Sequence, residues 1–589
     1  MEVYYQLVNN AADLRAACEE MSGLQVIGLD TETTDLDPYK GDLRLIQLAA
    51  SPTNVKVIDF KSFAAPKQNP DLDCLRDLLS AARPTKVLHN AKFDAKWLRL
   101  HLGAEVVGIF DTLLGSQILA AGETDRRHNL ADVTYEFVGE ELDKSQQVSN
   151  WSSSELSASQ LEYAAKDAAI VLRIREKMIE RLKADGLIEV AKLEFDCVMP
   201  VAALELAGVF LNKECWLEQL KKVKKEQIRI ADELQDMLSV GALQGSLFGR
   251  TEINLDSHTQ LTEALTRLGV PLPPTTRNWQ LEPLAKDFPV VAKLLEYRSV
   301  QKAITSYGES FLEYINPVTN RIHADFRQIG APTGRFACTN PNIQQVPHGA
   351  EYRRCFRAPA GRKLIIADYS QIELRILADF TGDQGFVDAF NSGADLHRET
   401  AAQIFGIAPE AVTSEQRSFA KRINFGVVYG IGAQRVSNLT GISVNEAQDL
   451  LRRYFQTYRK LDAWLRDAAL KATRDRQART VAGRLARFRF DPEDRQSMSL
   501  AERNGKNTPI QGSSADILKR SLRLLHDSLR DTSACLVNII HDEIVVEVDA
   551  NEADEVCKIV EKAMVAAGEE YVKKVPIKVD AQVADEWLK

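Results

Sequence analysis

Near its C-terminal end the chain reads LVNIIHDEIVVEVDA, from Leu536 to Ala550. Two apolar runs, Leu536 to Ile540 and Ile544 to Val548, have the composition of a buried strand pair, and His541, Asp542 and Glu543 interrupt them. Burying an isolated carboxylate costs several kcal/mol or shifts its pKa until it neutralises. Acids held in the turn of such a pair therefore call for a partner. KLIIAD is built in the same way: Leu364 to Ala367 read as a buried central strand ending at Asp368, after which Glu373, Arg375 and Ile376 take up helical spacing. On adjacent strands Asp368 and Asp542 could share divalent ions that neither would hold well alone. On spacing alone they are equally two unrelated strand-end acids.

A chain of 589 residues exceeds one core, and length alone suggests about three to four domains or subdomains. With 45% hydrophobic and 27% charged residues it has the composition of a soluble globular protein, and no apolar run approaches the roughly 20 residues of a membrane span. The N-terminus has no secretory or transit character, so a cytoplasmic protein is expected, of a bacterium or phage-infected host, with an organellar origin after presequence removal left open. The eight cysteines form no C-x-x-C pair and predict reduced buried thiols rather than a zinc site or disulfide framework. A net charge of -9 argues against nucleic acid, unless the charge is clustered. It is clustered: Lys221, Lys222, Lys224 and Lys225; Arg353, Arg354, Arg357, Arg362 and Lys363; and Arg474, Arg476, Arg479, Arg484, Arg487 and Arg489, as a phosphate-tracking groove requires. Each cluster alone also reads as a solvated face.

Residues 1 to about 190 read as α/β, with strands LQVIGLD, LRLIQLAA and VKVIDF and helices LADVTYEFVG and LEYAAKDAAIVLRIREKMIERL. From about 191 to 330 the pattern is helical and polar, including WLEQLKKVKKEQIRIADELQDML, and suggests an extended arm rather than a compact core. In VIGLDTETTDL, Asp30 and Glu32 lie two apart, so both point to one face of a strand. HNAKFDAKWL adds Asp94, and LEYAAKDAAIV puts Tyr163 and Asp167 at i, i+4 on a helix. These pieces in this order resemble the 3′-to-5′ exonuclease fold of RNase D-like and proofreading enzymes, in the subclass with four acids and a tyrosine, over roughly residues 20 to 185. The resemblance implies that Asp30, Glu32, Asp94 and Asp167 hold two Mg²⁺ ions and that Tyr163 orients the attacking water. Asp111, in IFDTLLGSQIL, reads as a structural or capping acid.

In RSFAKRINFGVVYG, Arg417, Lys421, Phe425 and Tyr429 recur every four residues, one slowly winding stripe on a helix. Two cations followed by two aromatics suit a nucleoside triphosphate; standing alone, the rings read equally as core and the cations as solvated. The stripe does not stand alone. The order TGRFACTNPNIQQVP, ADYSQIELR, DLHRETA, RSFAKRINFGVVYG, NTPIQGSSADILKRS and HDE is similar to the family A DNA polymerases, from residue 20 onward.

That resemblance implies an RNase H-like α/β exonuclease domain (1–190) followed by an α+β right-hand polymerase domain (191–589). Within the latter it implies a thumb at about 200–330, a palm at about 331–385 and 490–589, and fingers at about 386–490. It makes Asp368 and Asp542, with the Tyr369 carbonyl, palm ligands for two Mg²⁺ ions, with Mn²⁺ as a substitute. Arg417, Lys421, His397 and Gln371 would hold the dNTP, with Lys421 catalytic. Glu373 would be the sugar gate, with Tyr429 against it. Phe425 would stack on the incoming sugar and base, and phenylalanine there goes with poor use of 3′-deoxy terminators. Arg335, Arg353, Arg503, Asn507, Gln511 and His541 would contact primer and template, and Lys221, Lys222, Lys224 and Lys225 the duplex backbone. Template-directed synthesis from dNTPs with proofreading is expected, by a monomer on primer–template DNA. The chain starts almost directly at the exonuclease, so no 5′ nuclease domain and no flap removal are expected. The alternative is an RNase D-like exonuclease with a non-catalytic nucleic-acid-binding C-terminal half.

Overall fold

The computed structural model describes residues 2–588 except 124, 145, 147–148, 241–252, 274, 348–349 and 429. By contact density the chain divides into two units. The first comprises Met1–Gly208, Ala324–Thr339 and Gly361–Val583; the second comprises Val209–His323, Asn340–Ala360 and Ala584–Lys589.

A six-stranded sheet organises the N-terminal part of the first unit. Its strands are β1 (Tyr4–Val8), β2 (Val26–Thr33), β3 (Leu43–Ser51), β4 (Asn54–Asp59), β5 (Thr85–Leu88) and β6 (Ile109–Asp111), in the order β1-β4-β3-β2-β5-β6. The predicted strands LQVIGLD, LRLIQLAA and VKVIDF occupy β2, β3 and β4. β2 pairs antiparallel with β3 and parallel with β5. Three helices carry or adjoin the acids singled out in the sequence: α1 (Ala91–Trp97), α2 (Thr112–Ala120) and α3 (Ala158–Ala184). A capping box closes the start of α3, the Ser157 side chain meeting the Gln160 N–H and the Gln160 side chain returning to Ser157. On its sheet-facing side α3 carries Ala164, Ala165, Ala168 and Ala169, all 0% exposed. These small residues let it approach β2 so closely that a Cβ on Gly28 would stand 2.0 Å from the Ala168 carbonyl oxygen.

Next along the chain are α4 (Ile188–Asp196), still in the first unit, and α5 (Lys213–Ser239), α6 (His258–Arg267) and α7 (Pro289–Tyr307) in the second. This stretch, expected to be an extended arm, has a small core of its own. Leu234, Leu238, Leu261, Leu265, Val291 and Leu294 bury themselves between these three helices. The polar reading fails because the apolar stripe of each helix is narrow, and three stripes together close what none closes alone.

A second sheet carries the C-terminal half of the first unit. It contains β7 (Arg362–Tyr369), β8 (Cys535–Ile540), β9 (Glu543–Asp549) and β10 (Val579–Ala584), in the order β8-β9-β7-β10. β9 lies antiparallel to both β8 and β7. Around it run α8 (Ile372–Thr381), α9 (Leu396–Phe405), α10 (Ser414–Val428) and the 34-residue α11 (Arg495–Ser528).

Candidate active sites

The N-terminal site assembles at the end of β2. Asp30 and Glu32 lie on one side of the strand, Asp94 comes from α1, and Tyr163 and Asp167 from α3. The contact between Gly28 and Ala168 is what brings α3 close enough for its polar pair to face the strand. Thr31 Oγ1 donates to Asp94 Oδ1 at 2.7 Å, and the Tyr163 hydroxyl bonds Asp167. Burial, and then the charges of Asp94, Glu32 and Asp167, push the Asp30 carboxyl well above its ordinary range. Glu32 is raised by burial and then by Asp167 and Asp94. Burial raises Asp94 and Asp167 to about 7, against hydrogen bonds that pull them down.

Among the described residues, no three His, Cys, Asp or Glu side chains converge into a ready-made metal cage. What the four carboxylates share is a field in which each opposes the ionisation of another. A set of hard oxygen donors in mutual repulsion fits a divalent cation, which would relieve it. Asp111 does the structural work expected of it. It caps α2 through the Leu113 and Leu114 N–H groups, and it also accepts from the N–H groups of Asn90 and Ala91, setting the start of α1 and so the place of Asp94.

The C-terminal site is a cavity of about 450 Å³. Eleven of the residues singled out in the sequence line it: Arg335, Asp368, Tyr369, Gln371, Glu373, His397, Arg417, Lys421, Phe425, His541 and Asp542. Asp368, the last but one residue of β7, lies directly opposite Glu543 of β9, and the Tyr369 N–H reaches the Asp542 carbonyl at 3.4 Å. The two strand ends thus present their acids side by side. His541 and Gln371 hold them there in left-handed backbone conformations, φ 55° and 57°, which are strained for residues with a Cβ. Burial and then the Glu373 charge raise the Asp542 carboxyl to about 6, with Arg335 opposing. Two carboxylates and a backbone carbonyl at a strand end are again hard donors suited to a divalent cation. Glu373 is buried and paired with Arg335. Gln371 Oε1 is buried without a hydrogen-bond partner in the protein.

On the opposite wall α10 presents Arg417, Lys421 and Phe425, and α9 presents His397, whose ring lies 5.8 Å from that of Phe425. Two residues that motif reading missed organise this wall. Asp395 accepts from the His397 and Arg398 N–H groups, capping α9, and from Arg417 Nε at 2.5 Å. Asn424, fully buried, donates to His397 Nδ1 at 3.0 Å and accepts from the Tyr454 hydroxyl at 3.1 Å. Because Nδ1 accepts, the ring proton sits on Nε2. Burial, with Arg417 and Lys421 adding to it, lowers His397 to about 4, so the ring is neutral at ordinary pH. Asp395 and Asn424 belong to the motifs DLHRETA and RSFAKRINFGVVYG, but nothing in their spacing marks them.

The sequence pattern of DNA polymerase family A matches residues 218–589, and that of a 3′-5′ exonuclease matches residues 5–183. The chain belongs to DNA polymerase family A. It is 32% identical to the DNA polymerase I of Aquifex aeolicus over 621 residues, covering 99% of this chain and 100% of that one. It is 30% identical to the DNA polymerase I of Pseudomonas aeruginosa, covering 100% of this chain and 66% of that protein. It therefore spans about two thirds of the length of the Pseudomonas relative. Among solved structures, the POL domain of Pol1 from M. smegmatis, in complex with DNA primer-template and dNTP, superposes with a TM-score of 0.85. The match has 26% identity and covers 99% of both chains. A family A DNA polymerase domain thus follows a 3′-5′ exonuclease domain in this chain.

Besides Arg335 and His541, which line the cavity, the residues expected to touch DNA fall into three groups in this polymerase. Arg503, Asn507 and Gln511 lie at i, i+4 and i+8 on α11, and Ser514, Ala515 and Leu518 carry the same face into the cavity. Asn507 Oδ1 is a buried atom with no hydrogen-bond partner in the protein. Lys221, Lys222, Lys224 and Lys225 are exposed on α5, with Lys224 paired to Glu309 at 2.7 Å. Arg353 is 6% exposed, and its guanidinium packs 4.3 Å from the centre of the Trp587 ring. Tyr429 lies outside the described residues. Part of the basic run from Arg474 to Arg489 is spent inside the protein. Arg484 is buried, Arg487 pairs with Asp185, and Arg489 with Glu123, so these charges hold the first unit together.

Proposed function

We propose that the protein extends primer strands on a DNA template from dNTPs and removes mispaired 3′ ends at a second site. The observation that carries the first reading is the cavity itself. Carboxylates Asp368 and Asp542 stand on one wall, and Arg417, Lys421, His397 and Phe425 on the other, an arrangement suited to a triphosphate lying between primer end and cations. Bound divalent cations, Mg²⁺ with Mn²⁺ as a substitute, would activate the attacking hydroxyl and neutralise phosphate charge. Asp368, Asp542 and the Tyr369 carbonyl would hold them in one site, and Asp30, Glu32, Asp94 and Asp167 in the other.

The chain's own groups do the rest. Arg417 exchanges Asp395 for phosphate oxygens, the Nε2–H of neutral His397 donates to the same phosphates, and Lys421 offsets charge on the transferring group and protonates departing pyrophosphate. Phe425 stacks on base and sugar. Glu373, held by Arg335, fills the space a 2′-hydroxyl needs. Along α11, Arg503, Asn507 and Gln511 bind the primer–template near the junction, and His541 meets the primer end. In the editing site Tyr163 orients the water that attacks the terminal phosphodiester. The protein acts as a monomer in the cytoplasm; among the described residues no helix is long and apolar enough to cross a membrane.

The deciding assay is a primed template with dNTPs and Mg²⁺. Extension is expected, abolished in Asp542→Asn with single-strand degradation retained. The double change Asp30→Ala, Glu32→Ala is expected to do the reverse. Extension by Asp542→Asn at the parental rate sinks the polymerase site, and degradation by the double variant sinks the editing site.

A further inference from the structure

All eight cysteines are free thiols, and two of them, 140 residues apart in sequence, meet in the second unit. Cys215 Sγ lies 2.9 Å from Cys355 Sγ, about 1 Å beyond the length of a sulfur–sulfur bond. The backbone already holds the two segments together. Leu211 and Phe356 form an antiparallel bridge, and the Asn212 N–H donates to the Cys355 carbonyl at 2.8 Å. A covalent link would therefore join segments that the backbone already pairs.

The two thiols are not equivalent. Cys215 sits in the first turn of the 27-residue α5, its N–H bonded to the Asn212 cap at 2.7 Å. It also lines a cavity of about 780 Å³ together with Lys222, Arg354 and Arg357. Small oxidants can enter there, between three cations and four glutamates that line the same wall. Cys355 is 0% exposed, and burial followed by the adjacent Cys215 pushes its thiol up. One sulfur is placed to react with solute and the other to resolve the product.

We propose that Cys215 and Cys355 form a reversible disulfide driven by hydroperoxides. The Cys215 thiolate attacks the hydroperoxide, its S–O bond forming as the O–O bond breaks and an alcohol, or water from hydrogen peroxide, departs with a proton. Cys355 then attacks the sulfur of this sulfenic acid, the S–S bond forms, and the oxygen leaves as water with the Cys355 proton. Two thiols and one hydroperoxide thus give one disulfide, one alcohol and one water, with two electrons passing from sulfur to peroxide oxygen. The product fastens the first turn of α5 to the segment around Cys355.

The test uses the full chain, reduced, desalted, exposed to hydrogen peroxide, quenched with N-ethylmaleimide and digested without reduction for mass spectrometry. The expected product is a Cys215–Cys355 peptide pair two hydrogens lighter than its parts, which dithiothreitol removes. In Cys355→Ser the sulfenic acid has no resolving partner, so dimedone labelling of Cys215 should rise about tenfold over the parent. Maleimide on both cysteines after half-buried Cys74 and Cys557 have oxidised would overturn the proposal. So would equal dimedone labelling in parent and variant. The primary readout is on the unaltered protein, so it stands even if the variant folds poorly.

Discussion

At the scale of single residues the C-terminal cavity depends on side chains that do not line it. Arg417, Lys421 and His397 supply charge and a donor, but Asp395 and Asn424 decide how they stand. Asn424 saturates His397 Nδ1 and is itself held by Thr400 and Tyr454. Removing its amide frees the ring to change tautomer and turn. Asn424→Ala should therefore raise the KM for dNTP about tenfold, the effect of losing roughly 1.4 kcal/mol of oriented hydrogen bonding, while kcat falls less. Steady-state extension with varied dNTP checks this. An unchanged KM would leave Asn424 a packing residue only.

At the scale of elements, close packing between one helix and one strand makes the editing site. Gly28 and the alanines of α3 let that helix rest on β2, which places Tyr163 and Asp167 beside Asp30 and Glu32. Gly28→Val puts side-chain atoms where the Ala168 carbonyl already stands. Single-strand degradation should fall by about tenfold or more while primer extension continues, because the second sheet is untouched. The same packing buries the carboxylates, and this has a signature in pH. Below about pH 4 Asp94 and Asp167 are protonated in folded and unfolded chains alike. Between there and about 7 the folded state keeps protons that the unfolded chain has released. In the presence of a chelator, urea midpoints should therefore fall as pH rises from about 5 to about 8, by an amount worth about 1–3 kcal/mol. Asp167→Asn should flatten the slope and added Mg²⁺ should reverse it. A midpoint that rises over this range contradicts the crowding of acids in the site.

At the scale of the whole first unit, one buried charge cluster ties the N-terminal sheet's flanking helix to the second site. Glu194 on α4 meets Arg484 and Lys519, each at 2.5 Å, and Arg484 also meets Asp516. Burial alone would raise the Glu194 carboxyl, but Lys519 and Arg484 carry it below its ordinary range. Lys519 in turn donates to the Gly334 carbonyl at 2.6 Å and lies 5.3 Å from the ring centre of Phe336, a wall of the cavity. The loop bearing Arg335 is thus held from across the unit. Glu194→Ala leaves two buried cations short of a carboxylate and should cost about 3–5 kcal/mol in urea unfolding. Primer extension should fall as the Gly334–Phe336 loop loosens. A loss below about 0.5 kcal/mol would mean that water replaces the carboxylate freely.

Much of this was legible in the sequence because it is local. A strand run that ends in an acid, a helix that repeats cation, cation, aromatic every four residues, and acids at alternate strand positions are set by backbone periodicity. Periodicity is written in order along the chain. That order pointed to the family, and the residues it singled out, Asp30, Asp94 and Asp167 in one place and Asp368, Asp542, Arg417 and Lys421 in another, lie together in the structure. Composition does not show where the chain spends charge internally: of the arginines from Arg474 to Arg489, Arg484 ties to Glu194 and Asp516 and Arg487 to Asp185. The polar stretch after 191 likewise concealed a small core. Which thiols meet, which amide orients His397 and which carboxylate neutralises Lys519 depend on residues 27 to 325 positions apart. Such contacts exist only once helices have packed on sheets, because burial is what makes an unpaired polar group costly enough to dictate its partner.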